Sequence, residues 1–141
     1  MKLLVAIDGS KPSLKALERA LAFSQRLAEP ATITLINVHN DSFIRRHQHQ
    51  VGKQAIDEYL AELHGADLDE ACALLDARQV RYDVVRASGD LATTIAGQAA
   101  SGGYDLLVVG SQGRGSLTDL VMGSVTTKLL AVSKVPVLVV P

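Results

Sequence analysis

Five short apolar runs, separated by longer stretches with helical spacing, constrain the fold of this chain more than any other feature. The runs cover residues 3–7, 33–38, 80–85, 106–109 and 135–140. Most of them place Val, Ile and Leu on consecutive positions, which is typical of strands covered on both faces in a parallel sheet. The alternation therefore predicts a single β-α-β-α-β-α-β-α-β domain, with right-handed crossovers and helices on both faces of the sheet.

Residues that favour helix ends lie between these runs. Ser10 is a good N-cap and Pro12 follows it in the first turn, so a first helix is predicted to begin there and to end before Pro30. A later helix is predicted over residues 90–101, with Gly102-Gly103 as its left-handed cap. These signals place a helix after the first strand and another after the third.

The remaining stretches predict less regular features. Residues 50–79 have apolar side chains at three-to-four spacing and predict one helix, either continuous or with a kink or break near Gly65. The polar segment 40–49 predicts a mobile loop. Charged residues interrupt the third run, which favours a position near a sheet edge: Arg81, Asp83 and Arg86.

Composition limits the classes of partner. The 141 residues carry 14 basic and 15 acidic side chains, and a net charge of −1 gives no field that favours nucleic acid or anionic lipid. The first apolar run is too short for a signal peptide or a membrane span. The single cysteine, Cys72, fits a reducing compartment. We therefore expect a cytoplasmic protein with no nucleic-acid and no membrane partner.

The carboxyl end of the fourth run carries the most informative residues. In an open α/β sheet, ligands bind outside the carboxyl ends of the strands, where the strand order reverses. Gly110 and Gly113 let backbone N–H groups cradle an anion, and Arg114 offers a mobile positive charge. Gly123 and Ser124 begin the last helix, whose N-terminal N–H groups favour negative charge. Two such sites indicate a di- or triphosphate ligand, unless the glycines only form turns and Ser124 only caps the helix.

This spacing resembles a known signature. Gly110, Gly113 and Gly123-Ser124 match the G-x2-G-x9-G-S/T pattern of ATP-binding universal stress proteins. The resemblance covers the whole chain, from Asp8-Gly9-Ser10 after the first run to the apolar end. It implies an α/β fold with an open five-stranded parallel sheet of order 3-2-1-4-5, of the adenine nucleotide alpha hydrolase-like type. In that order, Asp8 and Gly110 face one crevice.

The same resemblance implies a role for individual residues. Asp8 is expected to meet the nucleoside, and the backbone of Val38 is expected to meet adenine. The expected phosphate and ribose contacts are Gly110, Gly113, Arg114, Gly123, Ser124 and Val125. The implied ligand is ATP, with or without Mg²⁺, and the implied role is a stress response in which bound nucleotide changes contacts with protein partners.

The last apolar run implies self-association. Val135 to Val140 is apolar on both faces and would be an unprotected sheet edge in a monomer. Many members of the family pair through this strand, so the resemblance implies a homodimer.

Other phosphate-binding folds fit the sequence less well. Ser116-Leu117 stands where a Walker A loop requires Lys-Ser/Thr, and Asp8-Gly9-Ser10 lacks the G-x-G-x-x-G of a dinucleotide fold. Asp8 alone also lacks the acidic pair of a phosphoacceptor receiver domain. His39 follows the expected adenine contact, so two positions stay open for it: the wall of the crevice, or the surface, which is the default for a histidine. No Ser-His-Asp or Cys-His arrangement indicates catalysis.

We therefore expect a binding protein, not an enzyme. Two alternatives stay open. One is a slow Mg²⁺-dependent ATPase or phosphotransferase that uses Asp8. The other is a stress protein that binds no nucleotide.

Overall fold

The computed structural model describes residues 1–113 and 122–141 and contains a five-stranded parallel sheet. Its strands are β1 (Lys2–Ala6), β2 (Thr32–His39), β3 (Tyr82–Ser88), β4 (Leu106–Gly110) and β5 (Val137–Val140). They lie in the order β3-β2-β1-β4-β5, and every neighbouring pair is parallel. The strand order expected from the resemblance is thus confirmed, and β3 is an edge strand, as its charged residues indicated.

Helices cover both faces of the sheet. They are α1 (Lys11–Ser24), α2 (Ser42–Arg46), α3 (Gln48–Val51), α4 (Lys53–Ala77), α5 (Leu91–Ser101) and α6 (Ser124–Val132). The buried residues of α1 and α4 pack on one face, and those of α5 and α6 pack on the other. No helix within the described ranges is both long and apolar enough to cross a bilayer.

The predicted helix ends agree with the structure at several positions. Ser10 caps α1, with its hydroxyl accepting a hydrogen bond from the N–H of Ser13. Asp90 caps α5 by accepting from the N–H of Thr93. Gly103 adopts a left-handed conformation with φ of 67°, directly after the end of α5. Local side-chain chemistry therefore sets these boundaries.

The polar segment 40–49, predicted as a loop, is mostly helical. Residues 42–46 and 48–51 form the short helices α2 and α3. An ion pair between Asp41 and Arg45, four residues apart, links the residue before α2 to its last turn. Pairs at this spacing stabilise helical turns, and the prediction of a loop weighed only the polarity of the segment.

The single long helix predicted over residues 50–79 is confirmed, and it has no break at Gly65. α4 runs without interruption from Lys53 to Ala77, and Gly65 is helical. Glycine in a helix interior costs roughly 1 kcal/mol. The buried apolar face of α4 outweighs that cost, because each fully buried large side chain contributes about 1.5–3 kcal/mol. This face includes Ile56, Leu60, Leu68 and Leu75.

The last strand begins two residues later than predicted, at Val137. Val135 instead lies in the turn after α6, where its N–H donates to the Ser133 hydroxyl and its carbonyl accepts from that same hydroxyl. The Ser133 side chain thus closes a turn at Val135, and the strand begins only after that turn.

A polar cluster of Asn37, His39, His64 and Asp67 lies between β2 and α4. Asn37 Nδ2 donates to the carbonyl of Ile7 at 2.7 Å and to Asp67 Oδ2 at 3.1 Å. Both partners can only accept, so these contacts define the orientation of the amide. Asn37 Oδ1 must then accept from His64 Nδ1, 2.5 Å away, and that nitrogen carries a proton.

Burial of the cluster affects the titration of His64. The side chains of Asn37, His64 and Asp67 are all buried. Burial lowers the pKa of His64, and the neighbouring His39 and Arg86 lower it further, against an opposing effect of Asp67. The folded protein therefore favours neutral His64.

We expect the free energy of unfolding to fall as the pH drops below about 6.5, the ordinary pKa of histidine. Because the pKa of His64 is lower in the folded state, the unfolded chain binds more protons in this window, and acid favours unfolding. The variant His64→Gln should show a weaker pH dependence. Urea unfolding at about pH 7.5 and about pH 5.5 measures the difference.

The variant His49→Gln is the control, since His49 is an exposed histidine of α3. It should keep the pH dependence of the wild type. If His64→Gln kept it as well, the buried imidazole would not be the source of acid sensitivity.

Candidate functional site

A cavity of about 570 Å³ lies at the carboxyl ends of β1, β2 and β4. The strand order reverses here, because β1 pairs with β2 on one side and with β4 on the other. The volume falls within the range of small-molecule sites. The cavity therefore lies where a ligand of an open α/β sheet is expected.

Most of the residues expected to bind ligand line this one cavity: Asp8, Val38, Gly110, Gly113, Gly123, Ser124 and Val125. Arg114, the remaining one, lies outside the described residues. The fold thus brings the ends of three strands and the start of α6 together around a common space.

The Asp8 carboxylate is held by the turn between β1 and α1. The N–H of Ser10 donates to Asp8 Oδ1 at 2.9 Å, and the Ser10 hydroxyl donates to the same oxygen. The N–H of Asp8 donates in turn to the Ser13 hydroxyl at 3.3 Å. The residues that cap α1 therefore also orient the carboxylate at the cavity wall.

The glycines after β4 permit close backbone approach. A β-carbon at position 113 would lie 2.7 Å from Asp8 Oδ2, and one at position 110 would lie 2.9 Å from the carbonyl oxygen of Pro12. Any larger residue would displace the carboxylate in the first case and press on the α1 backbone in the second. Gly113 thus shapes the cavity, while Gly110 also packs β4 against α1.

The second glycine segment contacts the first. The N–H of Gly123 donates to the carbonyl of Ser111 at 2.8 Å, so this group is engaged within the protein. The N–H groups of Ser124, Val125 and Thr126 belong to the first turn of α6 and have no partner within the helix. These are the donors that the helix start offers to an anion in the cavity.

The start of α6 is tied to the sheet by a buried side chain. Thr126 Oγ1 donates to the carbonyl of Gly110 at 2.8 Å. Gly123 occupies the N-cap position, and Ser124 is exposed and makes no capping hydrogen bond. The interpretation of Ser124 as only a helix cap is therefore wrong, because the cap lies one residue earlier.

The β2 side of the cavity contains polar residues beyond the predicted ligand contacts. Val38 is followed on the wall by His39 and Asn40, and Asp67 of α4 joins them. Of the two positions left open for His39, the structure shows the one at the cavity wall: its side chain is 22% exposed, and its Nε2 lies 2.8 Å from Asp67 Oδ2. The sequence of α4 could have indicated that Asp67 is buried, because Leu60, His64 and Asp67 recur at the spacing of one helix face.

Among known proteins, the chain is similar to the universal stress protein YxiE of Bacillus subtilis. The two are 28% identical over 146 residues, covering 99% of this chain and 97% of the relative. Among solved structures, the hypothetical protein MJ0577 superposes with a TM-score of 0.82 at 25% identity, covering 99% of this chain and 94% of the other.

Two further proteins with this fold were solved with a nucleotide. One is a universal stress protein in complex with cAMP, with a TM-score of 0.65, 24% identity and coverage of 100% and 96% of the two chains. The other is a universal stress protein family member from Arabidopsis thaliana with AMP bound, with a TM-score of 0.62, 17% identity and coverage of 99% and 90%. At these identities, the likeness shows a shared fold.

Two findings identify the family of this chain: the match of its sequence to a family and the strand order of its sheet. The universal stress protein family matches residues 1–141, which is the whole of the sequence. The strand order described above is also that of the solved relatives. This chain belongs to the universal stress protein family.

Proposed function

We propose that this protein binds an adenine nucleotide, with ATP as the expected ligand, in the cavity at the carboxyl ends of β1, β2 and β4. One observation carries the proposal. The Asp8 carboxylate, the glycine segment after β4 and the first turn of α6 converge on the same space. Solved proteins of this fold with cAMP or AMP support an adenine nucleotide as the class of ligand.

The cavity lining contains two kinds of group that suit the two parts of a nucleotide. Apolar side chains from β2, α5 and β4 offer a surface for a base: Ile36, Val38, Leu91, Ile95 and Val109. The start of α6 offers backbone N–H groups and the Ser124 hydroxyl for phosphate. Asp8 lies at the wall and can accept from a ribose hydroxyl.

A magnesium ion accompanying ATP would find one suitable ligand among these residues. The Asp8 carboxylate supplies the hard oxygen that Mg²⁺ prefers, and phosphate oxygens would supply others. In the described residues, no group of three His, Cys, Asp or Glu side chains could hold a metal ion. When bound, Mg²⁺ would neutralise phosphate charge, and Asp8 would orient it.

The activity we propose is binding that alters contacts with protein partners in a stress response, with at most slow hydrolysis. In the structure, Asp8 Oδ1 accepts hydrogen bonds from both the N–H and the hydroxyl of Ser10. These bonds hold the carboxylate against the turn between β1 and α1. Steady-state phosphate release that Asp8→Ala abolished, with nucleotide binding retained, would favour a slow ATPase instead.

Gly113→Val should weaken ATP binding by at least about tenfold. The added β-carbon would meet Asp8 Oδ2 at 2.7 Å, displacing the carboxylate and filling the cavity. Residue 113 lies outside the buried core, so thermal stability should change little. Titration calorimetry and thermal melting separate binding from folding.

A matched control is Gly97→Val, since the glycine lies on the exposed side of α5 with open space around it. This variant should bind ATP as the wild type does. Unaltered affinity in Gly113→Val would contradict the assignment of the glycine segment to the ligand.

Ser124→Ala should weaken ATP binding by about 0.5–1.5 kcal/mol, the usual net contribution of one hydrogen bond. Stability should stay unchanged, because Gly123 rather than Ser124 occupies the N-cap. Calorimetry measures the first effect and urea unfolding the second. Ser101→Ala, at the exposed end of α5, should change neither; a loss of stability without a loss of affinity in Ser124→Ala would count against a phosphate contact.

We also propose that the protein forms a homodimer through its last strand. β5 lies at the edge of the sheet and pairs with β4 alone among the described strands. Beside it, α6 leaves Leu130 46% exposed and Val132 42% exposed. Pairing with a second copy would cover this edge and its apolar surroundings.

Leu138→Lys should shift the sedimentation profile toward monomer, because a charge on an edge strand opposes strand pairing. Leu138 is half-buried and packs against the core. Leu138→Ala is therefore the control for lost packing without added charge and should retain more dimer. An unchanged dimer in the lysine variant would argue against β5 as the interface.

A further inference from the structure

The pairing of β1 with β2 stops early, at the edge of the cavity. The last pair is Ala6 with Ile36, and beyond it the N–H of Ile7 donates to the Ile36 carbonyl at 2.9 Å. A parallel ladder continued by one step would next join the Val38 N–H to the Ile7 carbonyl. Both groups lie in the described part of the chain, and no hydrogen bond joins them. The two strands therefore separate here, although β2 itself continues to His39.

The Ile7 carbonyl is held by a side chain instead. Asn37 Nδ2 donates to it at 2.7 Å. The same nitrogen donates to Asp67 of α4 at 3.1 Å, so Asn37 lies on the face of the sheet that α4 covers. The Ile7 carbonyl accepts its hydrogen bond on that face, and not in the plane of the ladder. Asn37 is 1% exposed, so water does not compete for this contact.

The Val38 N–H is left without a partner as a result. Among the residues that the structure describes, none accepts a hydrogen bond from it. It faces β1, because N–H groups two residues apart in a strand point to the same side and Ile36 faces β1. Val38 is 7% exposed and lines the cavity. A buried backbone N–H without a partner is rare, since leaving it unsatisfied costs free energy, and it indicates an acceptor supplied by a ligand.

We propose that Asn37 is a positioning residue for the ligand. By holding the Ile7 carbonyl out of the ladder, it keeps the Val38 N–H available to a ring nitrogen of the base. This inference rests on the proposed function, since it concerns the same cavity and an adenine nucleotide. It goes beyond the expected contact between Val38 and adenine, because it names the side chain that makes this contact possible.

The orientation of the Asn37 amide is fixed from its other side. His64 Nδ1 donates to Asn37 Oδ1, so a flipped amide would turn its NH₂ group toward this donor. It would also turn its oxygen toward two acceptors, the Ile7 carbonyl and Asp67. The amide therefore holds the Ile7 carbonyl before any ligand arrives. A donor prepared in this way reduces the cost of ordering on binding.

The test compares adenosine with its 1-deaza, 3-deaza and 7-deaza analogues, each of which replaces one ring nitrogen by C–H. Titration calorimetry on the wild type should show that one analogue binds roughly two- to tenfold more weakly than adenosine, the usual effect of one hydrogen bond. Asn37→Leu should remove this preference, because the released Ile7 carbonyl can accept from the Val38 N–H and close the ladder. Comparison within one variant isolates the base, since a displaced Asp8 would affect adenosine and its analogues alike.

His64→Leu is the matched control. It removes the donor to Asn37 Oδ1 from the same buried network and leaves the bond from Asn37 Nδ2 to Ile7 in place. Urea unfolding should show a loss of stability, as for Asn37→Leu, yet the preference among the analogues should remain. Asn37→Ser is the second variant should Asn37→Leu not fold, since the serine hydroxyl ends one bond short of the position of Nδ2.

Nuclear magnetic resonance reads the ladder directly. Scalar coupling across the hydrogen bond from the Ile7 N–H to the Ile36 carbonyl should be present in the wild type and in each variant. Coupling from the Val38 N–H to the Ile7 carbonyl should be absent in the wild type and appear in Asn37→Leu. A merely destabilised fold would weaken such couplings and would not add one.

The possible failures have different meanings. A coupling between Val38 and Ile7 in the free wild type, or a preference that survives in the Asn37 variants, overturns the inference and leaves the proposed function standing. Loss of the preference in His64→Leu also overturns it, because the effect would then belong to the whole network. Equal binding of adenosine and all three analogues by the wild type likewise overturns the inference alone. No binding of adenosine or ATP overturns the proposed function, and this inference with it.

Discussion

The pairing of β1 with strands on both sides is the constraint on which the rest of this structure depends. β1 forms parallel ladders with β2 and with β4, and these two strands come from different halves of the chain. The helix that connects β1 to β2 and the helix that precedes β4 lie on opposite faces of the sheet. The connections therefore diverge at the carboxyl end of β1. That divergence leaves the cavity, and the expected ligand contacts that belong to the described residues lie around it.

Close backbone contacts then hold the cavity in shape. The approach of Gly110 to Pro12, the hydrogen bond from Gly123 to Ser111 and that from Thr126 to Gly110 connect α1, β4 and α6. A site whose donors are backbone groups requires such support, because backbone N–H groups cannot change rotamer to follow a ligand. Preorganised donors of this kind reduce the entropy lost on binding.

The polar cluster connects stability with the site. Asn37 is nearly inaccessible, yet its amide links the carbonyl before Asp8 to two residues of α4. An unsatisfied buried amide would cost about 1–3 kcal/mol, so this network specifies how α4 lies against β2. The same cluster reaches the cavity wall through His39 and Asp67.

The sequence by itself determined the class of fold and predicted most of the residues that line the candidate site. Periodicity marked the strands, and the spacing of Gly110, Gly113, Gly123 and Ser124 predicted two segments at one end of the sheet. Such patterns succeed because side-chain period and glycine geometry are local properties of the backbone. The boundaries that failed, at α2, α3 and β5, depend on a few side-chain contacts too weak to appear as a pattern.

Only the tertiary structure decided that His39 meets Asp67 and that Ser124 does not cap its helix. The first contact joins β2 to α4, and nothing in the local sequence of either element records the register between them. The second depends on where α6 begins, which Gly123 sets through its contact with Ser111. Contacts between elements arise from packing over the whole sheet. The residues around one position in the sequence therefore do not show which distant residue it will contact.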